Sequence, residues 1–196
     1  MKRICLALAM IALAGCQSPP QGAMPSQAGQ PGAAPAQPAT PQPAVTSAGP
    51  LTKAAVETYM DAQESDLRTY LRGQGVLVAR RGDSLVVGIP NDKLFEKMAI
   101  SAWGNAVLES VAQVLAHYDH SAVEIDAYTD ATGSEQENLD LSQRRAKIVE
   151  GSLVQNGVTQ ARLSANGLGA SNPKFSDPRD PRNRRIELKI TPTPSG

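Results

Sequence analysis

Apolar positions along the chain change period several times, and each change predicts an element. Val123, Ile125 and Ala127 alternate with Glu124, Asp126 and Tyr128, and Ile186, Leu188 and Ile190 alternate with Arg185, Glu187 and Lys189. Period two predicts two strands, each with one covered face and one face toward water. Val107, Leu108, Val111, Val114, Leu115 and Tyr118 instead recur at three and four, an apolar stripe that predicts a helix packed on a sheet. Leu139, Ser142, Ala146, Val149 and Leu153 form a second helical stripe, whose small members permit close approach to the sheet. Ser134 and Glu137 stand at capping-box spacing at its start, and Asn156-Gly157 closes it.

Shorter signals fill the gaps. Val76–Ala79 and Leu85–Ile89 are β-type runs around Arg80-Arg81-Gly82-Asp83, which predicts a hairpin with Gly-Asp in the turn. Asn91–Ala99 is expected as a loop carrying Leu94 and Phe95, Leu163–Leu168 as a short strand, and Ala170–Arg182 as a Pro- and charge-rich loop. Upstream, Val56, Met60, Leu67 and Leu71, with Tyr59, Gln63 and Tyr70 beside them, predict an amphipathic helix over Thr52–Arg72 within residues 51–73, stopped by Gly73 and Gly75. Such a helix packs on its own domain or pairs with a partner, and packing is the commoner outcome. The predicted fold class is an α/β two-layer sandwich, a mixed sheet with helices on one face and water on the other.

The pattern fails before residue 51. Met1-Lys2-Arg3 is basic and Ile4–Leu13 is an apolar run too short to cross a bilayer comfortably, so residues 1–15 are expected to be an export signal. Leu13-Ala14-Gly15-Cys16 resembles the lipobox of bacterial lipoproteins, which implies acylation of Cys16 and insertion into membrane lipid. Gln17, in place of the Asp associated with inner-membrane retention, favours the outer membrane. The rest of residues 16–50 is mostly Pro, Ala, Gln, Gly and Ser without a charge, and is expected to be a disordered tether. It would reach ~30 Å as a flexible coil and up to ~100 Å as polyproline II.

Composition narrows the chemistry. Nineteen basic and nineteen acidic residues balance over the 196-residue chain, so there is no basic footprint for nucleic acid. Cys5 and Cys16 both precede the folded region, which leaves it without a disulfide or a thiolate metal site. His117 and His120 lack a third ligand nearby in sequence, and no cofactor or metal is expected. Ser142 falls on the core stripe and neither histidine stands at useful spacing from Asp130, so no catalytic constellation is present and the protein is not expected to be an enzyme.

The informative stretch is Tyr128–Ala146. It places Asp130 in a Gly-containing turn after a strand, then Asn138, Leu141 and Arg145 on one stripe about 100° around the helix from the core face. Both signs of charge in one short segment suit a small zwitterion. Read together, Tyr128-Thr-Asp-Ala-Thr-Gly133, Asn138-Leu-Asp-Leu-Ser142, Arg145-Ala146, Gly167-Leu-Gly169, Pro173 and Asn183-Arg-Arg-Ile186 resemble the OmpA-like peptidoglycan-binding domain over residues 76–192. With the lipobox and tether, the chain is similar to outer-membrane lipoproteins of the peptidoglycan-associated type. The resemblance implies a β-α-β-α-β fold with a leading hairpin and, as ligand, the diaminopimelate of the peptidoglycan stem.

By that resemblance Asp130, beside Thr129, accepts from the ligand ammonium, and Arg145 takes its carboxylate in a bidentate pair. Asn138 would bond the ligand backbone, Leu141 would pack on its methylenes, and Phe95 and Glu96 would form a further wall. Arg184 is expected either to support this site or to make an ordinary ion pair on the sheet. Two positions depart from the family pattern: Ala127-Tyr128 replaces Gly-His, and Phe95-Glu96 replaces Phe-Asp. Envelope proteins are expected as further partners. The alternative reading is a protein-interaction module of this fold with weak or no wall binding.

Overall fold

The computed structural model describes residues 52–193. The export signal, Cys16 and the tether lie outside the described residues. Helix α1 (Lys53–Tyr70) comes first, followed by the hairpin β1 (Leu77–Arg81) and β2 (Ser84–Pro90), a one-turn helix α2 (Asn91–Leu94), and the two-residue strands β3 (Phe95–Glu96) and β4 (Ala99–Ile100). Helix α3 (Ala102–His117), β5 (Ser121–Tyr128), α4 (Glu135–Gln155), β6 (Leu163–Gly167) and β7 (Arg185–Pro192) complete the order. The main sheet runs β1-β2-β7-β5-β6, antiparallel except for the parallel β5–β6 pair. It is the mixed sheet expected of a β-α-β-α-β fold with a leading hairpin. The chain's last long strand lies in the middle of the sheet, between β2 and β5.

One face of the sheet carries the core. Leu85, Val87 and Ile89 of β2, Val123 and Ile125 of β5, and Ile186, Leu188 and Ile190 of β7 are buried against Leu108, Val111 and Leu115 of α3 and Ala146, Val149 and Leu153 of α4. Close approach is set by glycine where it matters. A Cβ on Gly167 would stand 2.2 Å from the Gln143 amide nitrogen, so α4 can lie on β6 only because position 167 has no side chain. Likewise a Cβ on Gly104 would meet the Leu94 carbonyl oxygen at 2.6 Å, which lets α3 seat directly on α2.

Helix α1 packs on its own domain. Met60 and Leu67 are fully buried, and the Tyr59 and Tyr118 rings meet edge to face at 5.3 Å. The Tyr59 hydroxyl accepts from the His120 amide, and the Tyr118 hydroxyl donates to Asp66 at 2.8 Å. Burial, opposed only in part by the His120 amide, pushes the Tyr59 phenol up to about 12. The docked stripe leaves Tyr70 exposed and uses the apolar face that would otherwise serve a partner.

Four local expectations need correction. Residues 91–99 are not a plain loop: Asn91–Leu94 forms a helical turn, and Phe95 pairs with Ile100 across a tight reversal at Lys97, whose φ is 60°. Leu139, expected on the core stripe of α4, is 45% exposed, so the buried stripe begins at Ser142. The segment expected as a loop over Ala170–Arg182 ends in a 3₁₀ turn over Pro181–Asn183, after which the final strand starts at Arg185. The second sheet face is also not simply wet: Arg185 and Glu187 are buried with each other, Glu187 also holds Lys174 at 2.6 Å, and Arg185 stacks on Tyr128 at 3.8 Å. The 170–184 segment folds over that end of the face, and alternation cannot report a cover supplied by a distant loop.

Candidate functional site

The site lies where β5 and β2 end and β7 begins. Asp130, two residues past β5, is 6% exposed. Its Oδ1 accepts from the Thr132 amide at 3.1 Å, and its Oδ2 accepts from Nη1 of Arg184 at 2.8 Å. Burial pushes the Asp130 carboxyl up, but the Thr132 amide and the Arg184 guanidinium outweigh it and hold it below its ordinary value. Asp130 is therefore a fixed anion at neutral pH. A carboxylate has about four acceptor directions, so room remains for one more donor without breaking either bond.

The turn that carries it is tied on several sides. Thr129 donates its amide to the Gly169 carbonyl at 2.8 Å, Ala131 donates to the Pro178 carbonyl at 2.8 Å, and Asn138 donates its side-chain amide to the Thr132 carbonyl at 3.0 Å. Ser134 accepts from the Glu137 amide while Glu137 accepts from the Ser134 amide, the reciprocal cap the spacing predicts. Asn138 thus applies one donor to shaping the loop, a use that spacing alone does not reveal. The Thr129 hydroxyl is buried and has no partner among the described residues.

Arg145 sits nearly three turns into α4, half-buried, with its Cζ 5.5 Å from the centre of the Phe95 ring. Its Nε is buried and finds no hydrogen-bond partner among the described residues. Burial pulls its guanidinium pKa down, with Asp92 opposing that and Arg184 adding to it. An arginine at such a position keeps its charge, and an unmatched donor in a half-dry setting is costly until an acceptor arrives. Leu141 is half-buried on the same helix, whereas Glu96 is exposed.

Arg184 is the hub. Besides Asp130 it holds Asp92, donating from Nε to Oδ1 at 2.9 Å, and its carbonyl accepts from the Asn91 amide at 3.1 Å. Hydrogen bonding to Asp92 first, then to Asp130, raises its pKa further. Of the two uses expected for Arg184, the structure shows an ion pair that is itself part of the site. Asp92 is the residue that sequence reasoning missed: it lies 92 positions from Arg184, and its only local signal is a carboxylate in the first turn of a short helix. The structure therefore joins Asp130, Arg184 and Asp92 by ion pairs and sets Arg145, beside Phe95, within electrostatic reach of Asp92 and Arg184. Asn138 braces the loop that carries Asp130, and Glu96 is exposed.

Residues 94–187 match the OmpA family model, so the chain carries an OmpA family domain. Probable lipoprotein YiaD of Escherichia coli (strain K12) is 39% identical over 139 residues, 68% of this chain and 64% of that protein. Peptidoglycan-binding protein ArfA of Mycobacterium bovis is 40% identical over 87 residues, 43% of this chain and 27% of that protein. The chain thus spans less than two thirds of each of these curated relatives. A MotB-like protein from Desulfovibrio vulgaris shares the fold, with a TM-score of 0.61 at 24% identity, over 70% of this chain and 96% of that one.

Proposed function

We propose that this protein is an outer-membrane lipoprotein, anchored through acylated Cys16, whose domain grips peptidoglycan non-covalently by the side-chain end of diaminopimelate. The carrying observation is the opposed pair: Asp130, held ionised, and Arg145, whose buried Nε has no partner among the described residues. The ligand ammonium adds a third bond to Asp130, and the ligand carboxylate satisfies the Arg145 fork. The Phe95 ring, 5.5 Å from the Arg145 Cζ, attracts the guanidinium through its face, Leu141 offers apolar surface for the methylenes, and Asp92 balances the charge of Arg184. The names of ArfA, a peptidoglycan-binding protein, and YiaD, a probable lipoprotein, support this reading.

The placement of α1 fits a strut between membrane and wall. Tyr59 meets His120 just before β5 begins, whereas Asp130 lies past the other end of β5, so the first turns of α1 are at the pole away from the site. Two charge-assisted contacts contribute roughly 1.5–3 kcal/mol each before ordering costs, so one stem is held moderately. Many stems within reach of a membrane-fixed domain convert that into firm attachment. Sedimentation of the protein with purified sacculi tests the assignment. Asp130→Ala and Arg145→Ala should each remain mostly in the supernatant at concentrations where the parent pellets, and equal pelleting would refute the grip.

A further inference from the structure

We infer that a second subsite adjoins the first, a trough on the opposite sheet face that takes the methyl-bearing alanine linked to the bound diaminopimelate; this rests on the diaminopimelate reading above. The trough has a cause in the sequence. Leu85, Val87 and Ile89 point under the helices, so Gly88 belongs to the other face, where it pairs with Leu77 on one side and Glu187 on the other. With no side chain at 88, the row Leu77–Gly88–Glu187 is broken in the middle. Leu77 stands beside the gap 59% exposed, and Phe175, from the segment that folds over this face, forms the facing wall. The space holds about 430 Å³.

Continuity assigns the occupant. Asp92 and Arg184 line the trough, and the same Arg184 donates to Asp130 at 2.8 Å, so the residue that holds the anion of the grip also borders the trough. A ligand fixed at Asp130 that continues past Arg184 arrives over Gly88. The floor there is bare and Leu77, Phe175 and Pro90 give it an apolar part that suits a short alkyl side chain, while Lys174, Arg182, Arg184 and Asp92 put charge along its border. Arg182 lies flat on the Phe175 ring at 3.9 Å and places positive charge at the rim, the sign required by a C-terminal carboxylate; it shares that charge with Asp180 at 2.7 Å.

The geometry supplies a clean test. A Cβ at Gly88 would meet nothing nearer than the Leu77 Cβ at 3.6 Å, and the backbone there is not left-handed, so Gly88→Leu fills the trough without a clash at its Cβ. Calorimetric titration of the whole protein should use two synthetic stems, a tripeptide ending in diaminopimelate and the tetrapeptide extended by D-alanine. The parent should bind the tetrapeptide about 4-fold more tightly, the value of one buried methyl group. Gly88→Leu should abolish that ratio while leaving tripeptide binding unchanged, and Phe175→Ala, which removes a wall from an external segment, should abolish it too. A ratio of one in the parent, or a ratio kept in both variants, overturns the subsite while leaving the Asp130–Arg145 grip standing. Absence of binding by either stem to the parent overturns that grip and the subsite with it.

Discussion

Arg162 and Arg145 are both half-buried cations of this domain, near opposite ends of the sheet, and the fold treats them in opposite ways. Arg162 reaches under the end of α3, where its fork donates to the carbonyls of Leu115, Tyr118 and Ser121, each at 2.7 Å, and to the Ser121 hydroxyl at 3.0 Å. Those acceptors are the free carbonyls at a helix end and the start of a strand, which a cation satisfies well. Arg145 has an aromatic ring below it and no acceptor for its buried Nε among the described residues. The difference separates an arginine that closes the structure from one that keeps an unmet bond for something else. Burial alone would have ranked them together.

The largest expected effect breaks that comparison directly. Arg162→Ala strands several carbonyls and should lower unfolding free energy by about 2–4 kcal/mol in denaturant titration, with stem affinity of the folded fraction unchanged. Arg145→Ala should do the reverse, shifting stability by less than about 1 kcal/mol while stem affinity falls more than 10-fold. Arg145→Lys should also bind roughly 10-fold more weakly, because the point charge cannot reproduce the fork. If Arg145→Ala unfolds the domain as Arg162→Ala does, the two arginines are alike and the distinction collapses.

A smaller effect concerns pH. With the Asp130 carboxyl held low, stem binding should survive as pH falls through the ordinary carboxylate value of about 4 and disappear only below it. The stability contributed by the depressed carboxyl follows the same sign: it is present above the unfolded value and lost as pH drops through the folded one. Arg184→Ala removes one of the donors, so both losses should move to higher pH, as read by calorimetry for binding and by thermal melts for stability. An unmoved midpoint would show that Arg184 does not set the charge of Asp130.

The smallest effect lies at the far pole and sharpens the contrast by example. Gln63 of α1 is fully buried, and both polar atoms of its amide lack partners among the described residues. Unlike Arg145 it faces no opening assigned to a ligand. Gln63→Met should therefore raise stability by about 1–2 kcal/mol in denaturant titration and leave stem binding as it was. Reduced binding in this variant would mean that the docked helix and the site are coupled.

Much of the candidate site could be read locally. Asp130, Asn138 and Arg145 lie within one strand–turn–helix segment, where a capping box and helical spacing fix relative directions. Leu141 shares the helical stripe of Asn138 and Arg145, Phe95 was named from the family pattern, and the structure places the Phe95 ring 5.5 Å from the Arg145 Cζ. Asp92 could not be reached that way. Its meaning comes from Arg184, and the two meet only because β7 inserts beside β2 in the sheet. The same limit hid the burial of Arg185 and Glu187 and the bare trough at Gly88, which are consequences of the 170–184 segment crossing the second face.

By itself the sequence determined the long helices and strands, the cap of α4, the inward faces of β5 and β7, the apolar stripe of α1 and the charge pair of the β5–α4 segment. Those are set by short-range periodicity and by side chains a few positions apart, which every local segment carries within it. Only the tertiary structure decided which arginine is satisfied and which is left wanting, that Arg184 joins Asp92 to Asp130, and that a missing side chain at 88 opens onto the same guanidinium. Hydrogen-bond satisfaction depends on partners that are far apart in the chain, and no periodicity records them.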